Sequence, residues 1–301
     1  MQPKDQANFP EFSGSTFILF RIAEIETLDT YEDNLERYRE KDFSYVPIPE
    51  ADKYYNLNTE SLEDLHENQY VEKNISVRKL FTLLSTYPFL LHDSLTGLKA
   101  YVDEDGDYYF EGGDPPEDAV KKDLEELEEQ HPDILDEIRQ SRYWFVNLAD
   151  LNRREIREAL YPVVAELESE IADAIREDVD EPEDLYHNAP DHVVGRREKD
   201  RLRDMGLHTA EYLNLGDMIG LLKGRQHLWG DFGFSDADEV EDRLGSLNQL
   251  RNSVMHSNRT LIRSQTDIEK TLERVNDAQR IIIKSRGGSV EALQTRLWEE
   301  G

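Results

Sequence analysis

The sequence predicts an α+β protein in which a mixed α/β module, residues 1–149, precedes an all-α up-down helical bundle, residues 150–286. Short segments rich in β-forming residues dominate the first module, which is typical of small sheets. From Asp150 onward the apolar residues instead recur with a period of about 3.6, the repeat of an amphipathic helix. The remaining residues, 287–301, are expected to form a C-terminal tail.

Three segments of the first module are predicted to contain strands. STFILFRIAEI (15–25) is rich in β-forming residues, and FLLHDSLTGLKAYVDEDGDYYF (89–110) is typical of strands joined by a glycine-containing turn. YWFVNL (143–148) has the composition of a short apolar strand. Before it lies a highly charged segment, 114–140, which we expect to be a solvated surface helix inserted between strands.

The second module begins with a long helical pattern at residues 149–177, where Pro162 is expected to kink the helix because proline removes a backbone donor. A polar, proline-containing loop is expected at 177–191. The periodicity then predicts four further helices, whose ends are marked by glycines. These helices lie at roughly 191–205, 215–231, 236–261 and 265–285, and the glycines are Gly206, Gly233, Gly287 and Gly288.

The chain is strongly acidic. It has 66 Asp and Glu residues against 35 Lys and Arg residues, which gives a formal net charge of −31. A field of this sign repels nucleic acid and anionic membranes, so general adhesion to either is excluded. The carboxylates are spread along the whole chain, which is typical of a halophilic protein, since the Debye length falls to about 3 Å in molar salt.

Other features of the composition exclude several classes of protein. Cysteine is absent, which excludes disulfides and thiolate metal sites. The N-terminal residues lack the apolar core of a signal peptide, and the longest apolar run, around 81–91, is too short to span a bilayer. The histidines show no metal-binding spacing. We therefore expect a cytoplasmic protein with no membrane contact, no metal and no cofactor.

One stretch departs from the acidic composition. From Arg243 to Arg263 the chain contains no Asp or Glu, and arginines and His256 lie there instead. In this chain a helix face that only contacts solvent should be rich in carboxylates, as it is in the other predicted helices. The lack of carboxylates therefore indicates a site that binds negative charge.

A helix through residues 244–263 would separate its side chains into two faces, because successive residues are rotated by about 100°. The core stripe would consist of Leu247, Leu250, Val254 and Leu261, and the opposite face of Asn248, Asn252, His256, Arg259 and Arg263. Arg251 would flank the two, and Asn252 would be the neighbour of His256 one turn away. A core histidine should lie on the apolar stripe, and His256 does not.

The residue types on this face point to a phosphodiester. The arginine fork matches phosphate oxygens and keeps its charge. Histidine is the side chain suited to moving a proton near neutral pH. We therefore predict phosphodiester recognition with acid–base chemistry, in which Asn248, Arg259 and Arg263 contact the substrate.

The hexapeptide RNSVMH (251–256) also resembles the Arg-(four to six residues)-His motif of HEPN domains, in which Asn commonly follows the Arg. The setting is similar, since the motif lies near the end of the penultimate long helix of a bundle. The segment ALYPVVAELESEI (159–171) is similar to the first helix of HEPN domains that follow CBS-like modules. The resemblance covers roughly residues 150–286.

This resemblance implies a metal-independent endoribonuclease that acts as a homodimer, often in toxin–antitoxin or antiviral defence systems. It assigns catalysis to Arg251 and His256. The ribose 2′-hydroxyl would attack the adjacent phosphate while His256 handles a proton and Arg251 stabilises the phosphate. Asn252 would orient the imidazole ring or a phosphate oxygen. The implied partners are RNA, a second copy of the chain, and an antitoxin or defence protein.

Two other functions remain open. Many HEPN domains are inactive, so the alternative is a non-catalytic scaffold that binds nucleotide or a protein partner. The other is a structural protein of a halophile with no enzymatic role. Tyr161 and Glu168, on the first bundle helix, lie where they could approach the site, although we expect them only to pack and to contact solvent.

The N-terminal module carries a looser resemblance. The segment YWFVNLADLNRR (143–154) resembles the end of a CBS motif, in which a strand leads to a hydroxyl residue and then to an Asp that opens a helix. Asp150 matches that Asp, whereas Asn147 stands at the hydroxyl position and the usual glycine is missing. The resemblance implies a divergent CBS-like module that senses a ligand or binds a partner.

Overall fold

The computed structural model describes residues 16–17, 21–22, 25–72, 75–93, 100–102, 108–110, 120–122, 143–178, 188–205, 207–256 and 258–288. These residues form an α+β protein, as predicted, with small antiparallel sheets in the N-terminal part and helices in the C-terminal part. The chain divides into two compact units. The sheet-bearing unit is Phe17–Ile75 with Thr86–Asp150, and the helical unit is Met1–Thr16, Ser76–Ser85 and Leu151–Gly301.

Short strands dominate the N-terminal part. In chain order they are β1 (Thr16–Phe17), β2 (Arg21–Ile22), β3 (Tyr45–Ile48), β4 (Lys53–Asn56), β5 (Ser61–Asp64), β6 (Ile75–Ser76), β7 (Phe89–Asp93), β8 (Ala100–Val102), β9 (Tyr108–Phe110), β10 (Val120–Lys122) and β11 (Tyr143–Asn147). Among the described residues they pair in the orders β1-β6, β2-β11-β7, β3-β4-β5 and β10-β8-β9. A helix, α1 (Tyr31–Glu40), precedes β3.

Aromatic side chains fill the core of the sheet-bearing unit. Tyr54, Leu65, Phe89, Leu91 and Phe145 are buried together. The ring of Tyr54 meets Phe89 edge to face at a centroid distance of 5.1 Å, and Phe89 stacks on Phe145 at 5.2 Å. Each such pair adds about 0.5–1.5 kcal/mol to the burial of its area. This cluster therefore joins β4, β7 and β11 into one core.

The predicted strands are found, but not all of them pair with their neighbours in sequence. The strand predicted at 143–148 is confirmed as β11. Segment 89–110 contains β7, β8 and β9, of which β8 and β9 pair with each other while β7 pairs with β11. The helix predicted for 114–140 is wrong at Val120–Lys122, because these residues form β10 against β8. The rest of that segment lies outside the described residues.

Helices make up the other unit. In chain order they are α2 (Val77–Thr86), α3 (Arg154–Asp178), α4 (Asp191–Arg201), α5 (Leu215–Lys223), α6 (Gln226–Phe232), α7 (Ala237–Met255) and α8 (Gln265–Ser285). The long helix predicted at 149–177 is confirmed as α3, which continues through Pro162. A single cut at residue 149 does not describe this unit, since it also contains α2.

Polar contacts give the directions of the long helices. Arg243 of α7 binds Asp277 of α8, and Arg274 of α8 donates to Ser246 of α7, so these two helices run antiparallel. On α3, Glu168 lies opposite Arg251, whereas residues earlier in α3 lie opposite the end of α7, which makes this pair antiparallel too. The three helices α3, α7 and α8 therefore alternate in direction, as in an up-down bundle.

An apolar stripe holds α7 in the bundle. Its buried residues recur at helical spacing and are Val240, Leu244, Leu247, Leu250 and Val254. Full burial of one such side chain contributes about 1.5–3 kcal/mol. The helix begins at Asp236, whose side chain accepts from the amide of Glu239 at 2.8 Å and so satisfies a free donor of the first turn.

Three predicted helices have different ends. The helix at 191–205 ends at Arg201, because Asp204 adopts the left-handed conformation and Met205 bonds back to Asp200. The segment 215–231 is two helices, α5 and α6, since the backbone of Arg225 leaves the helical region. The helix at 236–261 ends at Met255.

Two of the glycines act as expected. Gly233 closes α6 with a φ of 75°, and Gly287 follows α8 with a φ of 72°. A side chain is disfavoured at both positions, which is why glycine ends a helix there. Gly206 lies outside the described residues.

Candidate functional site

The motif Arg251–His256 lies at the C-terminal end of α7. Asn252 is in the last turn of the helix, Arg251 immediately precedes that turn, and His256 is the residue that closes the helix, with φ −109° and ψ 102°. The amide of His256 still donates to the carbonyl oxygen of Asn252 at 3.3 Å. Arg259 and Arg263 lie beyond the helix. The prediction of one helix through residue 263, with all these residues on its outer face, is therefore wrong.

A buried arginine explains why the helix ends here. Arg157 of α3 is only 8% exposed, and its guanidinium donates to the carbonyl oxygens of Ser253, His256 and Arg259. These oxygens lack helical partners once the chain turns away, and a cation at a helix C-terminus also meets the negative end of its dipole. Burial lowers the pKa of the Arg157 guanidinium.

A second side chain from the same region holds the next turn of the chain. The Oδ1 of Asn152 accepts from the amides of Leu261 and Ile262 at 2.8 and 2.9 Å, and its Nδ2 donates to the carbonyl oxygen of Ile262 at 2.7 Å. Leu261 and Ile262 are both buried. Leu261 thus belongs to the core, as predicted, but it reaches the core from a turn and not from a helix.

Arg251 is held between two side chains. Its Nε donates to Oε1 of Glu168 on α3 at 3.1 Å, and its Nη1 donates to Oδ1 of Asn252 at 3.2 Å. Both partners of the ion pair are largely shielded, with 22% and 23% of their side chains exposed. Glu168, expected only to pack and to contact solvent, is therefore part of the site. Asn252 contacts the arginine directly.

The remaining predicted residues are spread around this centre. His256 and Arg259 are exposed, and Arg263 is exposed while its amide donates to Asp267 at the start of α8. Asn248 is half-buried beside Gly216 of α5, whose added Cβ would lie 3.4 Å from Asn248 Nδ2. The structure thus joins Arg251, Asn252 and Glu168 and places Asn248 between helices.

Sequence reasoning missed Arg157 and Asn152 as residues that build the site. A signal for Arg157 was present. It lies three residues before Leu160 and seven before Val164, which puts a cation on the apolar face of its helix. A charge in that position requires partners, because an unpaired buried cation is costly. Asn152 gave no such signal, since its role depends on a turn 110 residues further on.

Chemically, the end of α7 combines a fixed cation with an exposed imidazole. The Arg251 guanidinium can bind an anion through the N–H groups that no described residue accepts, and His256 can exchange a proton with a group beside it. Glu168 cancels the charge of Arg251 within the pair. The site therefore offers directed hydrogen bonding with little net charge.

No family model, curated protein or solved structure matches this chain. Over the ranges that the structure describes, no helix is long and apolar enough to cross a membrane. Those ranges also contain no group of three or more His, Asp or Glu side chains placed to hold a metal ion.

Proposed function

We propose that the helical unit is a metal-independent endoribonuclease of the HEPN type. The observation that carries this proposal is the geometry of the motif: a guanidinium fixed by two partners and an exposed imidazole at the end of one helix. The acid-free composition of 243–263 supports it, because carboxylates there would repel RNA.

In the proposed reaction, the ribose 2′-oxygen attacks the adjacent phosphorus while its proton is removed. The bond from phosphorus to the 5′-oxygen breaks, and that oxygen takes up a proton. The products carry a 2′,3′-cyclic phosphate and a 5′-hydroxyl. His256 handles one of these protons, and Arg251 stabilises the negative charge on the non-bridging oxygens. Asn252 supports Arg251 through the contact that the two side chains make.

A homodimer is part of this proposal. One Arg251 and one His256 make a small active site, and a two-fold axis beside the end of α7 would bring two copies of both residues into one cleft. Light scattering in molar salt should then give twice the mass of the 35.1 kDa chain. Only monomer at micromolar concentration would contradict the dimer.

We further propose that the sheet-bearing unit is a divergent CBS-like module that controls the nuclease, by sensing a ligand or by binding an antitoxin or defence partner. Its support is the segment 143–154, in which β11 is followed by a short helix that contains Asp150. The Asp150 carboxylate accepts from the amide of Asn147 at 3.0 Å and so fixes the turn. A cytoplasm of high salt is the proposed location.

A non-catalytic scaffold is the second candidate. The ion pair between Glu168 and Arg251 favours it, because a neutralised arginine attracts RNA less strongly.

One experiment distinguishes the nuclease from the scaffold. Purified protein is incubated with labelled RNA in molar salt with EDTA, beside the His256→Ala variant. Cleavage with cyclic phosphate ends that the variant lacks supports the nuclease, and intact RNA in both samples supports the scaffold.

A further inference from the structure

The contacts of Arg251 leave one edge of its guanidinium open. The fork has N–H groups on Nε, Nη1 and Nη2. Glu168 takes the Nε group and Asn252 takes one on Nη1. Over the described residues, the other N–H of Nη1 and both on Nη2 have no protein partner. These groups lie on the two terminal nitrogens, and one N–H from each, here called the terminal edge, can bind two oxygens of one phosphate at once.

The two contacts also restrict how the fork can turn. An arginine side chain has several rotatable bonds, and ordering it on binding costs conformational entropy. Glu168 and Asn252 impose this order before any ligand binds, since they hold the fork at two of its three nitrogens, Nε and Nη1. Glu168 sits on α3, so it fixes the fork relative to a second helix.

Glu168 in addition sets the charge of the site. The charges of Arg251 and Glu168 sum to zero. At a distance, an incoming negative charge is therefore repelled by the carboxylate about as strongly as it is attracted by the guanidinium. A phosphodiester carries one negative charge, whereas a phosphomonoester carries nearly two above pH 7. The attraction to Arg251 and the repulsion from Glu168 are both about twice as large for the monoester, so Glu168 cancels the advantage that the arginine alone would give to the doubly charged group.

From these contacts we infer that Glu168 is a positioning and specificity-determining residue. It presents the terminal edge of Arg251 to one phosphate and removes the preference that Arg251 alone would have for terminal phosphomonoesters over internal phosphodiesters. The inference rests on the proposed nuclease, because it names the phosphate class that the same site binds. It adds that phosphorylated chain ends gain no electrostatic advantage over the internal phosphates of RNA.

The test compares two small probes, dimethyl phosphate and methyl phosphate, at pH 8 and fixed moderate ionic strength. Binding to the full chain is followed by NMR of the arginine Nε–Hε signals, in wild type and in Glu168→Gln, Glu168→Ala and Glu158→Gln. Glu158 is an exposed residue of the same helix, paired with Arg154, so its variant loses the same charge elsewhere. Thermal melting checks that each variant is folded.

We expect Glu168→Gln to keep the Nε contact through its amide oxygen and to lose the repulsion. Its affinity for methyl phosphate relative to dimethyl phosphate should then rise at least about fivefold. Glu168→Ala has the same net charge as Glu168→Gln but no acceptor for the Nε group of Arg251. It should therefore bind both probes more weakly than Glu168→Gln. Glu158→Gln should match wild type. The inference is overturned if the ratio is unchanged in Glu168→Gln, or if Ala and Gln bind alike.

The outcome is independent of the nuclease assay. If the wild type cleaves RNA but Glu168→Gln does not change the affinity ratio of the two probes, the proposed function is supported and the role of Glu168 is contradicted. A change in the ratio without any RNA cleavage would support Glu168 as a specificity-determining residue of a phosphate-binding site and would contradict the proposed nuclease.

Discussion

The side chain of Asn152 pairs with the backbone of Ile262 in both directions, donating to its carbonyl oxygen at 2.7 Å and accepting from its amide at 2.9 Å. It also accepts from the amide of Leu261. Asn152, two residues before the start of α3, thereby holds the turn between α7 and α8. The conformation of the segment after His256 depends on this contact, because the segment has left the helix and lacks helical bonds.

Replacing Asn152 with Ala should destabilise the helical unit by about 1–3 kcal/mol, since amides and a carbonyl next to buried side chains lose their partner. Urea unfolding measures the change. Asn258→Ala is the matched control, because Asn258 lies in the same segment and is exposed. An equal loss in both variants would show that Asn152 has no special role.

Arg157 should tolerate no substitution that loses its fork. Arg157→Lys keeps the charge but cannot reach the carbonyl oxygens of Ser253, His256 and Arg259 together, so we expect a loss of about 2–4 kcal/mol in urea unfolding. Arg154→Lys, at an exposed position on the same helix, should change stability by less than about 0.5 kcal/mol. Wild-type stability in Arg157→Lys would contradict the capping role.

Features that depend on nearby residues could be predicted from the sequence. The α+β class, α3, β11 and the glycine ends at Gly233 and Gly287 are all of this kind. The end of α7 is not, because Arg157 and Asn152 reach it from about a hundred residues away, and no local pattern contains such a contact. The acid-free composition indicated this same end of α7, where Arg251, Asn252 and His256 follow one another in the chain.

The start of α7 gives a pH prediction. Hydrogen bonds from the side chain and amide of Ser235, together with Arg243, lower the pKa of Glu239. Because the folded pKa is below the unfolded one, the stabilisation is complete above the unfolded pKa of about 4.3 and is lost as the pH falls through the folded value.

Glu239→Gln should therefore be less stable than wild type at pH 7, and the difference should shrink as the pH falls below about 4. Urea unfolding in molar salt at several pH values measures it. Glu269→Gln, at an exposed position of α8, is the control and should behave like wild type. A difference that is the same at pH 7 and at acidic pH would mean that the charge of Glu239 does not stabilise the helix start.

Leu250 and Arg251 are neighbours in sequence, but their replacement by Ala should reduce stability by different amounts. Leu250 is 1% exposed, so Leu250→Ala should cost about 2–5 kcal/mol of stability. Arg251→Ala removes an ion pair whose side chains are 22% and 23% exposed, and we expect a cost of about 1 kcal/mol by urea unfolding. A cost for Arg251→Ala as large as that for Leu250→Ala would make the arginine a structural residue.

The proposed reaction makes its clearest prediction for His256. The side chain is exposed and closes α7 through its backbone, so His256→Ala should leave the free energy of unfolding within about 0.5 kcal/mol of wild type. RNA cleavage should nevertheless fall by a factor of about 10² to 10⁴, because a group that moves a proton is lost. Arg251→Lys should also lose cleavage, since an ammonium keeps the charge without the fork. Met255→Ala, at an exposed position beside the imidazole in sequence, is the folding control. Normal cleavage by a folded His256→Ala protein would remove His256 from the reaction and favour the scaffold, and unfolding of that variant would show that its role is structural.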